Sequence, residues 1–241
     1  MLFRSNGAVG TKQYVQWVNA AYAVYDKSGG LLKAAVKGNA LWQPFATSST
    51  AAGCAKNNDG DPIVQFDKLA NRWVMTQFSV STKPYLQCVA VSTSDDFMHT
   101  SWNLYAFSYK NFPDYPKLAV WPDAYYITFN MFNRLFVGPT VCAYDRSNML
   151  QGNSASQVCF TLGKTYASLL PADFEGCDPT PTTGSCPNNP KAQTGLPPSG
   201  SPGYLVSLGS GTCTTSSGCL DRKSTRLNSS HVALSRMPSS A

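Results

Sequence analysis

The chain has 241 residues, a formal net charge of +6 at pH 7 and 12% aromatic residues. Its length suits one domain or part of a larger β architecture. Abundant Val, Tyr, Thr, Phe, Gly and Pro beside a single glutamate, Glu175, favour strands and turns. No uninterrupted apolar run is long enough to cross a bilayer, which excludes a membrane-spanning helix.

The two ends of the chain differ from the rest. Back-translated, residues 221–231 and 235–241 match a widely used short-read sequencing adapter, and residues 1–5 resemble the opposite adapter. We therefore interpret residues 1–5 as a scar, residues 221–241 as a disordered adapter-derived tail, and residues 6–220 as native sequence cut at both ends. Excluding the ends leaves 14 basic and 12 acidic side chains, a net charge of +2, because it removes Arg4, Asp221, Arg222, Lys223, Arg226 and Arg236. The basic tail is then no argument for a nucleic-acid or membrane partner.

Short strands in series are predicted along the native stretch. Residues 62–66 and 72–78 predict a hairpin around residues 67–71. Four strands per unit, with units in series, is typical of propeller blades. We therefore expect an all-β fold, a partial β-propeller of about three four-stranded blades plus part of another. The predicted strands are residues 14–18, 22–25, 62–66, 72–78, 86–92, 102–108, 118–120, 125–129, 140–144, 157–162 and 204–208, with one more near Leu169.

A short pattern recurs at three places, where an apolar stretch ends in an aromatic residue, an aspartate and a basic residue. The aspartates, Asp26, Asp67 and Asp145, are about 40 and about 80 residues apart, a spacing typical of propeller blades. Between the predicted strands, residues 47–53 indicate a small exposed loop. Residues 177–203, rich in Pro, Thr, Ser, Gly and Asn, indicate a long irregular or disordered surface loop.

The cysteine content indicates disulfides and an oxidising compartment. The count is even, no C-x-x-C pair occurs, and His99 is the only histidine outside the tail, which argues against a metal site. Neighbouring cysteines predict the bridges Cys142–Cys159, Cys177–Cys186 and Cys213–Cys219, which leaves Cys54–Cys88, although sequence does not fix connectivity. The eight positions are Cys54, Cys88, Cys142, Cys159, Cys177, Cys186, Cys213 and Cys219.

Six segments carry a family resemblance: NGAVG (6–10), QYVQWVN (13–19), NDGDP (58–62), FPDYPK (112–117), VWPDAYY (120–126) and LLPAD (169–173). Together they span nearly all of residues 6–204. They resemble a family of large secreted bacterial proteins, mostly uncharacterised, with a sialidase-like β-propeller core. The resemblance implies a secreted, extracellular protein and carries no defined activity.

Two functions remain open. Sialidase chemistry needs an arginine cluster that holds the substrate carboxylate, yet the native stretch has only Arg72, Arg134 and Arg146, and the sialidase Asp-box is absent. Our leading hypothesis is therefore a non-catalytic extracellular binding or surface module, with a carbohydrate or a protein as ligand. The alternative is a secreted exo-glycosidase of sialidase-like fold whose active site is incomplete in this fragment.

Three aspartates are the candidate binding residues. Asp61, Asp123 and Asp173 lie near predicted blade beginnings, and a ring of carboxylates in a central channel would suit Ca²⁺ or a cationic ligand. The favoured alternative is that each caps a turn through backbone N–H groups. No other cofactor is expected.

Three further features have two interpretations each. Residues 57–61 superficially resemble a calcium loop, but a tight turn is favoured because the full motif is absent. His99, beside Asp95 and Asp96, is interpreted as an exposed loop residue rather than a catalytic one, because no Ser or Cys nucleophile motif such as G-x-S-x-G accompanies it. A group of aromatic residues suits sugar stacking or, as favoured, packing between blades: Trp121, Tyr125, Tyr126, Phe129 and Phe132.

Overall fold

The computed structural model describes residues 5–166, 168–173, 197 and 200–207. Over these residues the chain is all-β, with three four-stranded sheets, one two-stranded sheet and a few short helical segments. It divides into two compact units. Among the described residues, unit 1 comprises residues 5–113 and 148–154, and unit 2 comprises residues 114–147, 155–166, 168–173, 197 and 200–207.

Unit 1 contains two four-stranded antiparallel sheets whose spatial order follows the chain. The first consists of β1 (Ser5–Val9), β2 (Gln13–Val18), β3 (Ala21–Asp26) and β4 (Leu31–Lys37). The second consists of β5 (Ile63–Asp67), β6 (Arg72–Ser79), β7 (Tyr85–Ser92) and β8 (Trp102–Tyr109). The first strands of the two sheets are neighbours, because the Asn6 side-chain oxygen in β1 accepts a hydrogen bond of 2.7 Å from the Val64 amide in β5.

The core of unit 1 lies between these sheets and is rich in tryptophan. Alternation along β2 turns Val15 and Trp17 inward, where both are fully buried. They pack with Trp42, which follows β4 in the 3₁₀ segment Gly38–Phe45, and with Trp73 of β6. Strands β6 and β7 are buried at nearly every position, the pattern of strands covered on both faces.

Helix α1 (Ala52–Lys56) contradicts part of the sequence prediction for this connection. Residues 47–53 were expected to form an exposed loop, but the helix begins at Ala52, and Cys54 is fully buried. The Cys54–Cys88 disulfide joins α1 to β7. The sequence prediction was wrong here because a five-residue helix held by a disulfide has too few residues for a helical pattern to show.

The third four-stranded sheet and the two-stranded sheet belong mainly to unit 2. The third sheet consists of β9 (Phe112–Val120), β10 (Tyr125–Asn133), β11 (Leu135–Tyr144) and β12 (Gln157–Thr161), again in chain order. Helix α2 (Arg146–Gln151) separates β11 from β12. Strands β13 (Leu169–Pro171) and β14 (Leu205–Ser207) form the two-stranded sheet. Leu169 and Leu205 pack with Trp121 and Tyr126 in the core of this unit.

The strand predictions agree with the structure, and two strands were missed. The predicted hairpin is confirmed, with Asp67 and Arg72 paired at its end. β1 and β4 were not predicted. Both are edge strands with many exposed residues, so they lack the buried alternation that marks a half-covered strand.

The recurring aspartate pattern marks strand ends rather than equivalent strands. Asp26 ends β3, Asp67 ends β5 and Asp145 follows β11, so the members lie on third, first and third strands of their sheets. Asp26 Oδ1 accepts hydrogen bonds from the Ser28 and Gly30 amides, and Asp67 Oδ1 accepts from the two amides that follow Lys68. At Asp26 and Asp67 the pattern is therefore a turn signal in which the aspartate side chain satisfies backbone N–H groups.

Two of the predicted disulfides are confirmed. Cys54 bonds to Cys88, and Cys142 on β11 bonds to Cys159 opposite it on β12. No cysteine in the described part of the chain is free. The predicted pairs Cys177–Cys186 and Cys213–Cys219 lie outside the described residues, as do residues 1–4, residues 221–241 and most of the predicted loop 177–203.

Candidate functional site

The outer face of the first sheet carries two tyrosines side by side. Tyr14 of β2 and Tyr25 of β3 are directly paired in register. Their ring centroids are 6.2 Å apart and their planes differ by 33°. Both side chains are half-buried, so part of each ring faces solvent. We call this pair the tyrosine platform.

A glycine determines how the platform lies on the sheet. The Tyr14 ring rests against Gly7 of β1, where an added Cβ would come within 2.9 Å of ring carbon Cε2. Gly7 pairs with Gln16, two residues from Tyr14 on the same face of β2. The missing side chain therefore lets the Tyr14 ring lie against β1, so that one ring face can be presented outward.

The platform lies in an open cleft of about 580 Å³ that is also lined by polar residues. Gln16 supplies an amide, and Asp26 and Lys27 supply charges of both signs. The Asp26 carboxylate is held in place, since its Oδ1 accepts hydrogen bonds of 2.7 Å from the Ser28 amide and 2.9 Å from the Gly30 amide. An apolar ring surface with a few oriented polar groups is the usual composition of a small-ligand site.

The three predicted aspartates are placed as follows. Asp61, with a left-handed φ of 44°, lies before β5 in unit 1. Asp123 precedes β10, and Asp173 follows β13, both in unit 2. Asp173 Oδ1 accepts a hydrogen bond of 2.7 Å from the Val120 amide. Only Asp61 therefore opens the first strand of a sheet, and a shared ligand for the three remains a prediction.

Asp123 takes part in a local hydrogen-bonded pair. Its Oδ2 accepts a hydrogen bond of 2.9 Å from the Tyr126 hydroxyl. Desolvation by burial raises the pKa of Asp123, while the bonds from Tyr126 and from the amides of residues 123 and 124 act in the opposite direction. Burial, followed by the neighbouring Asp123 charge, raises the pKa of Tyr126. These contacts match the turn-capping alternative for Asp123.

Residues 57–61, which superficially resemble a calcium loop, contain an aspartate that also accepts hydrogen bonds from backbone amides. Asp59 Oδ2 accepts from the Val80 and Ser81 amides at 2.6 and 2.8 Å, and its Oδ1 accepts from the Ser81 hydroxyl. Among the residues that the structure describes, no group of three or more His, Cys, Asp or Glu side chains could hold a metal ion. The Asp59 carboxylate thus joins two loops of unit 1.

A polar cluster surrounds His99. The ring Nδ1 lies 3.3 Å from Asp96 Oδ2, and 83% of the side chain is exposed, as predicted, although His99 ends the short 3₁₀ segment Phe97–His99. Partial desolvation raises the pKa of Asp96, but hydrogen bonds from His99, the Met98 amide and Gln13, with the charge of Lys12, outweigh it and lower the pKa to about 2. The cluster connects this loop to the start of β2.

The remaining predicted residues lie in structural positions. Four of the five aromatic residues are at least 92% buried, which confirms core packing for Trp121, Tyr125, Tyr126 and Phe129. Phe132 is only partly buried. Arg72 donates to the carbonyls of Ala70 and Asn71, and Arg146 donates to the Pro122 carbonyl. Those two guanidinium groups are engaged by turn carbonyls.

Sequence patterns alone do not reveal the tyrosine platform, although they contain part of its signal. Tyr14 begins one predicted strand and Tyr25 ends the next, so antiparallel pairing would place them opposite each other. The missing information was which face of the sheet is covered. In the part of the chain that the structure describes, no helix is long and apolar enough to cross a membrane. Comparison with protein-family models, with curated proteins and with solved structures finds no match.

Proposed function

We propose that this chain is part of a secreted β-propeller protein that acts as an extracellular binding module. Three four-stranded antiparallel sheets, each with its strands in the order of the chain, support the propeller architecture. The hydrogen bond between the first strands β1 and β5 also supports it. The first strands of successive sheets begin at residues 5, 63, 112 and 169, a nearly regular interval. Two disulfides are consistent with an oxidising compartment.

The ligand that the geometry favours is a carbohydrate, and the observation that carries this proposal is the tyrosine platform. One face of a sugar ring presents C–H groups, which pack against the electron-rich face of an aromatic ring. The hydroxyl groups at the edge of the sugar need hydrogen-bond partners, and Gln16 and Asp26 line the same cleft and can provide them. A second ring beside the first extends the surface to more than one sugar unit, so we expect an oligosaccharide to bind better than a monosaccharide at this site.

A glycan array probed with the purified chain tests the proposal. We expect binding to a subset of oligosaccharides and at least a tenfold loss of affinity in both Tyr14→Ala and Tyr25→Ala. Tyr166→Ala is the matched control, because this tyrosine is 40% exposed and belongs to unit 2, whereas the platform residues belong to unit 1. An array without any bound glycan, or platform variants that bind like the wild type, would refute the proposal.

The glycosidase alternative needs a separate assay. Arg72 and Arg146 bond to turn carbonyls, so neither supports a carboxylate clamp. Incubation with a fluorogenic sialoside and with neutral aryl glycosides, followed by fluorescence, should show no hydrolysis above buffer. Turnover that increases with protein concentration would replace a binding module with an enzyme.

A further inference from the structure

Unit 2 contains a cavity that is separate from every site described above. Its volume is about 380 Å³, and it is lined by residues of β9, β10, β13 and β14 and by Ser168. The polar lining includes Asp114, Tyr115, Asn130 and Ser207. Since all of these residues belong to unit 2, the cavity is formed within that unit. We call it the Tyr115 pocket.

Tyr115 has a strained backbone. Its φ is +56° within β9, a left-handed conformation in which the Cβ of a non-glycine residue approaches its own backbone. Pro116 follows directly and restricts the preceding residue further. Lys117 Nζ lies 3.6 Å from the Tyr115 ring centroid, a cation–π contact that fixes the ring. Strain of this kind persists where the surroundings impose it, and it is concentrated at ligand sites.

Two acceptor groups of the pocket, the Asp114 carboxylate and the Asn130 amide oxygen, are available to a ligand. Asn130 Nδ2 donates a hydrogen bond of 2.8 Å to Ser168 Oγ, which orients the amide. Within the described residues, no hydrogen bond or ion pair engages the Asp114 carboxylate or the Asn130 Oδ1 atom. A carboxylate and an amide oxygen that face a cavity without partners favour a ligand that brings hydrogen-bond donors.

The donor groups of a ligand can be charged ammonium groups or neutral hydroxyl groups, and the charge beside the pocket distinguishes between these two classes. Lys117 Nζ lies against the Tyr115 ring, so its positive charge opposes an ammonium ligand beside that wall and offsets part of the attraction of the Asp114 carboxylate. Neutral hydroxyl groups meet no such repulsion, and adjacent hydroxyls can donate to the Asp114 carboxylate and to the Asn130 amide oxygen, which both accept hydrogen bonds. A cavity of about 380 Å³ is at the lower end of the range for small-ligand sites, a size that suits one sugar residue.

We propose that the Tyr115 pocket binds a single neutral sugar residue, whose adjacent hydroxyls donate to Asp114 and Asn130, with Tyr115 as one wall. The site shares its ligand class with the tyrosine platform but uses none of the platform residues. Binding to the two sites is therefore measured with different probes and lost in different variants.

The experiment uses the full chain and a panel of free monosaccharides: glucose, galactose, mannose and N-acetylglucosamine. Saturation-transfer NMR reports binding, and titration calorimetry gives the affinity. We expect at least one sugar to bind, with at least a tenfold loss of affinity in Asp114→Asn, which keeps the shape of the side chain and removes its charge. Asp95→Asn is the matched control, because this aspartate belongs to unit 1 and lines neither the tyrosine platform nor the Tyr115 pocket, and it should bind the same monosaccharide like the wild type.

Tyr115→Gly separates a ligand-binding role from a structural one. Glycine adopts a positive φ without strain, and this gain offsets stability lost with the ring contacts. The variant should therefore have a melting temperature close to that of the wild type and should still lose sugar binding. Unchanged affinity in Asp114→Asn, or no monosaccharide signal in the wild type, overturns the inference while the array test of the platform stands. Stronger binding of choline or putrescine than of any sugar also overturns it, because the ligand would then be a cation.

Discussion

The Cys54–Cys88 disulfide is the strongest covalent constraint on unit 1 that the structure describes. It joins positions separated by 34 residues, and both cysteines are fully buried. Closing a loop of this size in the unfolded chain is worth about 4 kcal/mol by the chain-entropy relation. A domain is stable by only about 5–15 kcal/mol. We therefore expect Cys54→Ala/Cys88→Ala to remove a large share of the stability of unit 1.

The matched control is the other disulfide. Cys142 and Cys159 are separated by 17 residues, which gives about 3 kcal/mol by the same relation, and both lie in unit 2. Hydrogen exchange followed by mass spectrometry monitors the two units separately. Removal of Cys54–Cys88 should speed exchange in β6 and β7, and removal of Cys142–Cys159 should speed it in β11 and β12.

Exposure predicts the order in which the two bonds are reduced. Cys159 is exposed, while Cys54, Cys88 and Cys142 are fully buried. A small thiol should therefore reduce Cys142–Cys159 first in the native protein, because attack needs access to a sulfur. Alkylation and mass spectrometry would follow both bonds. Reduction of Cys54–Cys88 before Cys142–Cys159 would contradict this order. A Cys54→Ala/Cys88→Ala variant that unfolds at the same urea concentration as the wild type would refute the stability prediction.

Three other changes test separate contacts. Gly7→Val should push the Tyr14 ring off β1 and weaken glycan binding at least as much as loss of either platform ring, measured on the array, with the fold retained by circular dichroism. Gly38→Ala should lower the free energy of unfolding by about 1–3 kcal/mol, measured in urea, because its methyl would overlap the fully buried Trp17 ring. Asp96, with a pKa of about 2 against 3.8 unperturbed, should stabilise the fold above pH 4 and lose that contribution as the pH falls toward 2. Asp96→Asn should flatten this part of a pH titration of thermal stability, and an unchanged profile would contradict the assignment.

The sequence by itself determined the class of the fold and most of its strands. Short apolar runs separated by turn residues require no knowledge of distant contacts, so the hairpin ending at Asp67 and Arg72 was predictable. Neighbouring cysteines likewise predicted the Cys142–Cys159 pair, which joins adjacent strands. The edge strand β4 was not predicted, because its exposed residues show no alternation of apolar and polar side chains.

Only the tertiary structure decided where the candidate sites lie. Tyr14 and Tyr25 become a platform because register sets them opposite each other and Gly7 gives one ring room to lie against the sheet. The Tyr115 pocket depends on a backbone angle that no residue type at that position predicts. Local patterns report which residues are apolar and where the chain turns. Register, the covered face of a sheet and backbone strain follow from contacts between segments far apart in the chain, and these determine which polar groups face an open cavity.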